Sequence, residues 1–410
     1  MEALKTRLWT RRFGAATLAV AFTCSTALPA RAATPSPRSD EWWFRTWSVQ
    51  DKVWPLTRGA GVTVALIDTG VNAKLPELAG AVLSGTGTDS EATDGRVDTD
   101  EPGHGTAMAA QIVGQGGGTT GYVGLAPEAK ILPIQAGTSG AIADGIKIAV
   151  DRGAKIVNIS LGDTSDMYKP VHCAPEYAHA IGYALQHDVI IVASAGNSGD
   201  EANLPEAPAS CPGVLAVGAL TKQLRPWKKT QRQNYVTIAA PGAGQGLVVK
   251  NGTYYRGNSG TSSAAALTSA AIALIRSKNP AMPARTVVQR IFATARSIGA
   301  SGWNNRTGFG LIDIAAAMDP ASHPVPATAS NPLYDAFSRW QGSISPTPST
   351  APAIPNAAAS PRQPKSNSHS FPSPTLLALG GAGLLIFGAG AAVTLMLVRR
   401  RSTKYQSPIP

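Results

Sequence analysis

Four short runs limit what this chain can fold into. Val62–Ile67, Ile156–Ile159, Val189–Ala193 and Val214–Val217 are almost unbroken in apolar residues, rich in Val and Ile, and do not alternate. A strand with one face in water alternates polar and apolar residues. A strand covered by helices on both faces does not, and such strands belong to parallel sheets. Helical patterning lies between and after these runs, at roughly 104–113, 140–152, 175–187, 262–277 and 284–296. This alternation predicts an α/β layered fold with a mostly parallel sheet, and in such sheets chemistry gathers at the carboxyl ends of the strands. The 410 residues suffice for a large core. Charged residues make up 15% and hydrophobic ones 43%, a balance that excludes a coiled coil or a disordered polyelectrolyte.

The formal net charge of +11 suggests a nucleic-acid partner until it is located. Lys5, Arg7, Arg11, Arg12 and Arg31 lie in the first 32 residues beside Glu2, and Arg399, Arg400, Arg401 and Lys404 close the chain. Setting these aside leaves 27 basic against 24 acidic residues. The basicity therefore belongs to the two ends, and no nucleic-acid partner is expected. At the first end, a basic stretch, an apolar stretch from Phe13 to Leu28 and Ala30-Arg31-Ala32 read as a secretory signal over residues 1–32. At the other end, Leu376–Val398 is 23 residues without a charge, followed at once by three arginines. That pattern predicts a transmembrane helix over 375–398 with residues 399–410 as a cytoplasmic tail. Residues 320–374 carry 12 of the 31 prolines among Ala, Ser and Thr and read as a semi-extended linker. Its one apolar cluster is Leu333, Tyr334, Phe337 and Trp340, which either docks on the folded domain or has no role. The expected organisation is thus an extension over 33–60, a folded domain over 61–319, the linker, the span and the tail. The folded domain would lie outside the cytoplasm on a single-pass membrane anchor.

Cys24 leaves with the signal, so the mature chain holds Cys173 and Cys211. In an oxidising compartment these form one disulfide, or else lie as two separate buried thiols. No CxxC pair, HExxH or EF-hand loop occurs, so no metal or other cofactor is expected.

Four polar residues stand where the fold gathers chemistry. Asp68 ends the first apolar run, His104 in Gly-His-Gly-Thr opens a helical stretch, Asn197 in Ala-Gly-Asn-Ser-Gly follows the third run, and Ser262 in Gly-Thr-Ser-Ser-Ala opens an Ala-rich helix. Each has an ordinary structural explanation, as a turn former, a structural histidine or a helix cap. Together they supply a nucleophile, a base, a carboxylate to orient the base and a donor for an oxyanion. Chain order narrows the options. The histidines after Ser262 are His323 and His369, both in the linker, so the Ser-Asp-His order of α/β-hydrolases has no usable base. The order Asp-His-Ser is that of subtilisin.

The segments Asp68-Thr69-Gly70, Gly103-His104-Gly105-Thr106, Ile156–Gly162, Ala195-Gly196-Asn197 and Gly260-Thr261-Ser262 resemble, in order, the signature segments of subtilisin-like serine proteases. The resemblance implies a subtilisin-like three-layer fold and hydrolysis of protein or peptide substrates through an acyl-enzyme. It casts Ser262 as nucleophile, His104 as general base, Asp68 as its orienting carboxylate and Asn197 as an oxyanion donor. Ser160, Leu161 and Gly162 match the family's edge segment, which pairs with an extended substrate. Within that family the chain is most similar to mycosins, the membrane-anchored proteases of type VII secretion, because Glu41-Trp42-Trp43 precedes the first strand and a Pro-rich stretch leads to a C-terminal span. The mycosin resemblance implies that the extension wraps the domain through Trp42, Trp43, Trp47 and Trp54, and that the chain works with a type VII secretion membrane complex. It also allows a second role, as a structural component that stabilises such a complex. One departure is Ala266, where the family usually has a proline four residues after the nucleophile.

Overall fold

The computed structural model describes residues 35–88, 93–164 and 173–344. The expected signal, span and tail lie outside the described residues. Seven strands form one parallel sheet, in the spatial order β2 (Thr86–Gly87), β3 (Lys130–Gln135), β1 (Thr63–Asp68), β4 (Ile156–Ile159), β6 (Ile190–Ser194), β8 (Leu215–Leu220) and β9 (Val236–Pro241). All four apolar runs are strands, within a few residues at each end. Two antiparallel pairs flank the sheet: β5 (Asp163–Thr164) with β7 (Glu206–Ala207), and β10 (Ala243–Val248) with β11 (Tyr254–Ser259).

The helices are α1 (Trp43–Thr46), α2 (His104–Val113), α3 (Ser139–Asp151), α4 (Pro175–Gln186), α5 (Thr261–Lys278), α6 (Ala284–Thr294), α7 (Ile314–Met318) and α8 (Pro332–Ile344). Alternate residues of β1 explain the layers. Val64 and Leu66 join one buried cluster with α2 and α5, while Ala65 and Ile67 join another with α3 and α4. Helix α5 is apolar almost all round, with Ala264 to Ile275 buried, as a helix packed against the sheet requires.

β3 and β9 escaped the reading of apolar runs. β3 carries Pro133, yet loses no ladder bond by it. Ile131 N–H points outward to the Ala81 carbonyl, and Pro133, two residues on, faces the same side, where β2 has not yet begun.

Within the Pro-rich stretch, the described residues place the apolar cluster against the domain, while residues 345–374 lie outside the described residues. Residues 332–344 form α8, which buries Leu333, Phe337 and Trp340 on the domain. The Phe337 ring fits against Gly182 and Gly213, where a Cβ would approach it to 3.2 and 3.0 Å. Upstream, the Arg290 guanidinium donates to the carbonyls of Ala316, Ala317 and His323. This part docks because its one aromatic cluster recurs at helical spacing and finds an apolar surface. Before β1, Trp42, Trp43, Trp47 and Trp54 are all buried. Trp47 Nε1 donates to the Ile312 carbonyl at 2.8 Å and Trp54 Nε1 to that of Leu125 at 3.0 Å. Cys173 and Cys211 form a disulfide that ties the start of α4 to the turn before β8.

Candidate active site

Asp68 closes β1, an interior strand of the sheet, and is 1% exposed. Its Oδ1 accepts the Thr69 N–H at 2.8 Å and lies 2.7 Å from His104 Nδ1. Its Oδ2 is buried with no hydrogen-bond partner among the described residues, so its negative charge is compensated mainly through Oδ1. His104 is the first residue of α2, and a glycine follows it because a Cβ on Gly105 would lie 2.1 Å from the Gly70 carbonyl oxygen and 3.2 Å from Asp68 Oδ1. Only a bare backbone lets the helix start meet the strand end closely enough for ring and carboxylate to bond.

Two further carboxylates support this start. Asp98 Oδ2 accepts the Thr106 N–H and hydroxyl at 2.8 and 2.6 Å, while Oδ1 accepts the Thr69 hydroxyl at 2.8 Å. Asp100 Oδ2 accepts the N–H groups of Gly103 and His104, the latter at 3.0 Å, among the donors a helix start leaves free. Burial disfavours charge on the imidazole, but the carboxylates of Asp68, Asp100 and Asp98 outweigh it and raise His104 to about 9. With Asp68 ionised, Nδ1 carries the proton and Nε2 remains as the basic nitrogen.

Ser262 is the second residue of α5. Its hydroxyl donates to the Ser160 carbonyl at 3.1 Å, and the Ser160 hydroxyl returns a bond to the Ser262 carbonyl at 3.1 Å. Asn158 Nδ2 donates to Ser160 Oγ, and Ser269 donates to Asn158 Oδ1, both at 2.9 Å, which fastens the end of β4 to α5. Beyond it Leu161 is half-buried and Gly162 exposed, leaving this segment open to a strand-like partner. Asn197, after β6, accepts the N–H and hydroxyl of Thr261 on Oδ1, each at 2.9 Å. With its oxygen so engaged, the amide keeps Nδ2 as its donor.

The structure thus brings Asp68 onto His104, and Ser160 and Asn197 onto the turn that carries Ser262. The Ser262 hydroxyl rests on the Ser160 carbonyl rather than on the imidazole, a common arrangement before substrate arrives. Ala266 is fully buried inside an unbroken α5. Reading motifs missed Asp98 and Asp100, and gave no role to Asn158 and Thr261, which lie inside the signature segments. The two acids stand shortly before Gly103-His104, but their tie to the helix start is visible only in the fold.

The subtilase family model matches residues 59–310. Mycosin-3 of Mycobacterium tuberculosis is 32% identical over 411 residues, covering 85% of this chain and 82% of that protein. Fervidolysin of Fervidobacterium pennivorans is 30% identical, over 68% of this chain but only 43% of its own length, so the chain spans less than half of that relative. Among solved structures, the MycP3 protease from the type VII (ESX-3) secretion system matches with a TM-score of 0.58 and 30% identity, over 71% of this chain and 90% of that one.

Proposed function

The chain belongs to the subtilase family and is a mycosin-like serine-type endopeptidase, and on that premise we propose that Asp68, His104 and Ser262 are its catalytic triad. The observation that carries this is the 2.7 Å contact of His104 with the buried Asp68, at the end of the strand beside the one that leads to Ser160 and the Ser262 turn. Rotation of the Ser262 side chain between staggered positions redirects its hydroxyl. Oγ then attacks the substrate carbonyl carbon while His104 Nε2 takes the hydroxyl proton. Asp68 holds the imidazolium that forms. The oxyanion is met by Asn197 Nδ2 and the Ser262 N–H. Collapse of the tetrahedral intermediate breaks the C–N bond as His104 returns the proton to the leaving amine. Water, activated by the same imidazole, then hydrolyses the acyl-enzyme. Ser160, Leu161 and Gly162 hold the substrate extended by backbone pairing.

The chain works outside the cytoplasm. Residues 1–32 direct export, and 375–398 hold the protease to the membrane, with 399–410 on the cytoplasmic side. Its relation to a protease from a type VII secretion system supports a place beside such a membrane complex.

Cleavage of an internally quenched peptide library by the full-length protein tests the assignment. Ser262→Ala is expected to lower turnover by roughly 10³-fold or more, and the native chain is expected in the membrane fraction. Cleavage undiminished in the variant would overturn the triad.

A further inference from the structure

Strands β4 and β6 are neighbours, and past their carboxyl ends the chain continues as Ser160-Leu161-Gly162 on one side and Ala195-Gly196-Asn197 on the other. A substrate whose attacked carbonyl oxygen sits at Asn197, and whose backbone pairs with 160–162, must direct the side chain preceding the scissile bond into the crevice between these segments. The crevice is walled by two glycines, and a carboxylate lies between them. A Cβ on Gly162 would approach Glu206 Oε2 to 2.7 Å, and one on Gly196 would approach Glu206 Oε1 to 2.6 Å. Gly196 also has a φ of 107°.

Glu206 is held there deliberately. It lies on β7, which pairs with β5 directly beyond Gly162. Its N–H donates to the Tyr235 hydroxyl at 3.3 Å, and that hydroxyl donates to the Ala195 carbonyl at 2.9 Å. Gln231 Nε2 donates to Oε1 at 3.2 Å. A side chain at either glycine would have to displace this carboxylate, and at Gly196 the positive φ and Gln231 Cγ, also 2.6 Å away, oppose one as well.

We infer that Glu206 sets the cleavage preference of this protease, and that the residue preceding the scissile bond is lysine or arginine, its cation meeting the Glu206 carboxylate at the floor of the crevice. The inference rests on the active-site assignment above. Burial, with Asp163 adding to it, raises Glu206 to about 7 despite the bonds from Gln231 and Asn197. Among the described residues no cation faces it: Asp163 on β5, Tyr235, Gln231 and the Asn197 N–H are the charged, titratable or polar groups around it. A carboxylate that is desolvated yet lacks a counter-ion gains most from a partner the substrate brings. The stem of a long basic side chain can lie along the half-buried Leu161 on the way in.

Two peptidyl diphenyl phosphonates, alike except for lysine or norleucine at the reacting position, test this on the full-length protein through the rate at which each modifies Ser262. The lysine reagent is expected to react about 10- to 100-fold faster at pH 8.5, the gain of a charge-assisted hydrogen bond. The ratio should narrow at pH 6 as Glu206 takes up a proton, and fall toward one in Glu206→Gln. Titration of His104 affects both reagents alike and cancels in the ratio. The native ratio and its pH dependence stand even where the variant does not fold. A norleucine reagent that reacts as fast or faster, or a protein that a small fluorophosphonate modifies while neither peptidyl reagent does, overturns the inference. A Ser262 that the small fluorophosphonate also leaves untouched overturns the triad, and the inference with it.

Discussion

His104 shows how much one side chain owes to three others. The carboxylates of Asp68, Asp100 and Asp98 overcome the burial that would strip its charge and raise it to about 9. The neutral imidazole is the base, so peptidase activity is expected to climb with pH through the neutral range and level off only above about 9. Asp100→Asn keeps an oxygen for the N–H groups at the start of α2 but removes a charge, and should move that midpoint to lower pH; an unchanged midpoint would contradict the electrostatics. Stability runs the other way. A histidine raised above its unfolded value of about 6.5 contributes stability that is complete below that pH and is lost as pH rises through about 9. Asp68, His104, Asn197 and Ser262 were legible in the sequence because each sits in a short motif and their order admits one arrangement. Asp98 and Glu206 were not. Their significance is a matter of which backbone they face, Thr106 for one and two glycines for the other, and spacing along the chain carries no trace of that.

At the scale of elements, hydrophobic runs located β1, β4, β6 and β8 because both faces of each are buried. β10, with two glycines and a glutamine, and β11, half exposed, have no such pattern. Helix α8 is the element whose environment most overrode its composition. Proline counting marks the region as extended, yet Leu333, Phe337 and Trp340 share one face and dock it. Phe337→Ala is expected to cost about 3–5 kcal/mol, since it opens a void against Gly182 and Gly213. Thermal unfolding would show this as a lowered midpoint. An unchanged midpoint would mean that α8 adds nothing to the domain.

For the molecule as a whole, the site is assembled where the sheet ends and α2 and α5 begin, and the remainder of the fold fixes those ends. The disulfide contributes by closing a separation of 38 residues between Cys173 and Cys211, worth about 4 kcal/mol if it acts by restricting the unfolded chain. Melting the protein with and without reductant should therefore give clearly different midpoints; coincident curves would deny the bond a structural role. The central claim is that Ser262 is activated by His104 and Asp68. The measurement that reaches it most directly is fluorophosphonate modification of the full-length protein, located by mass spectrometry and followed against pH, beside Ser262→Ala. The account predicts a single adduct on Ser262, formed faster as pH rises toward about 9 and absent from the variant. An adduct on another residue, or a folded native protein that forms none, would contradict it.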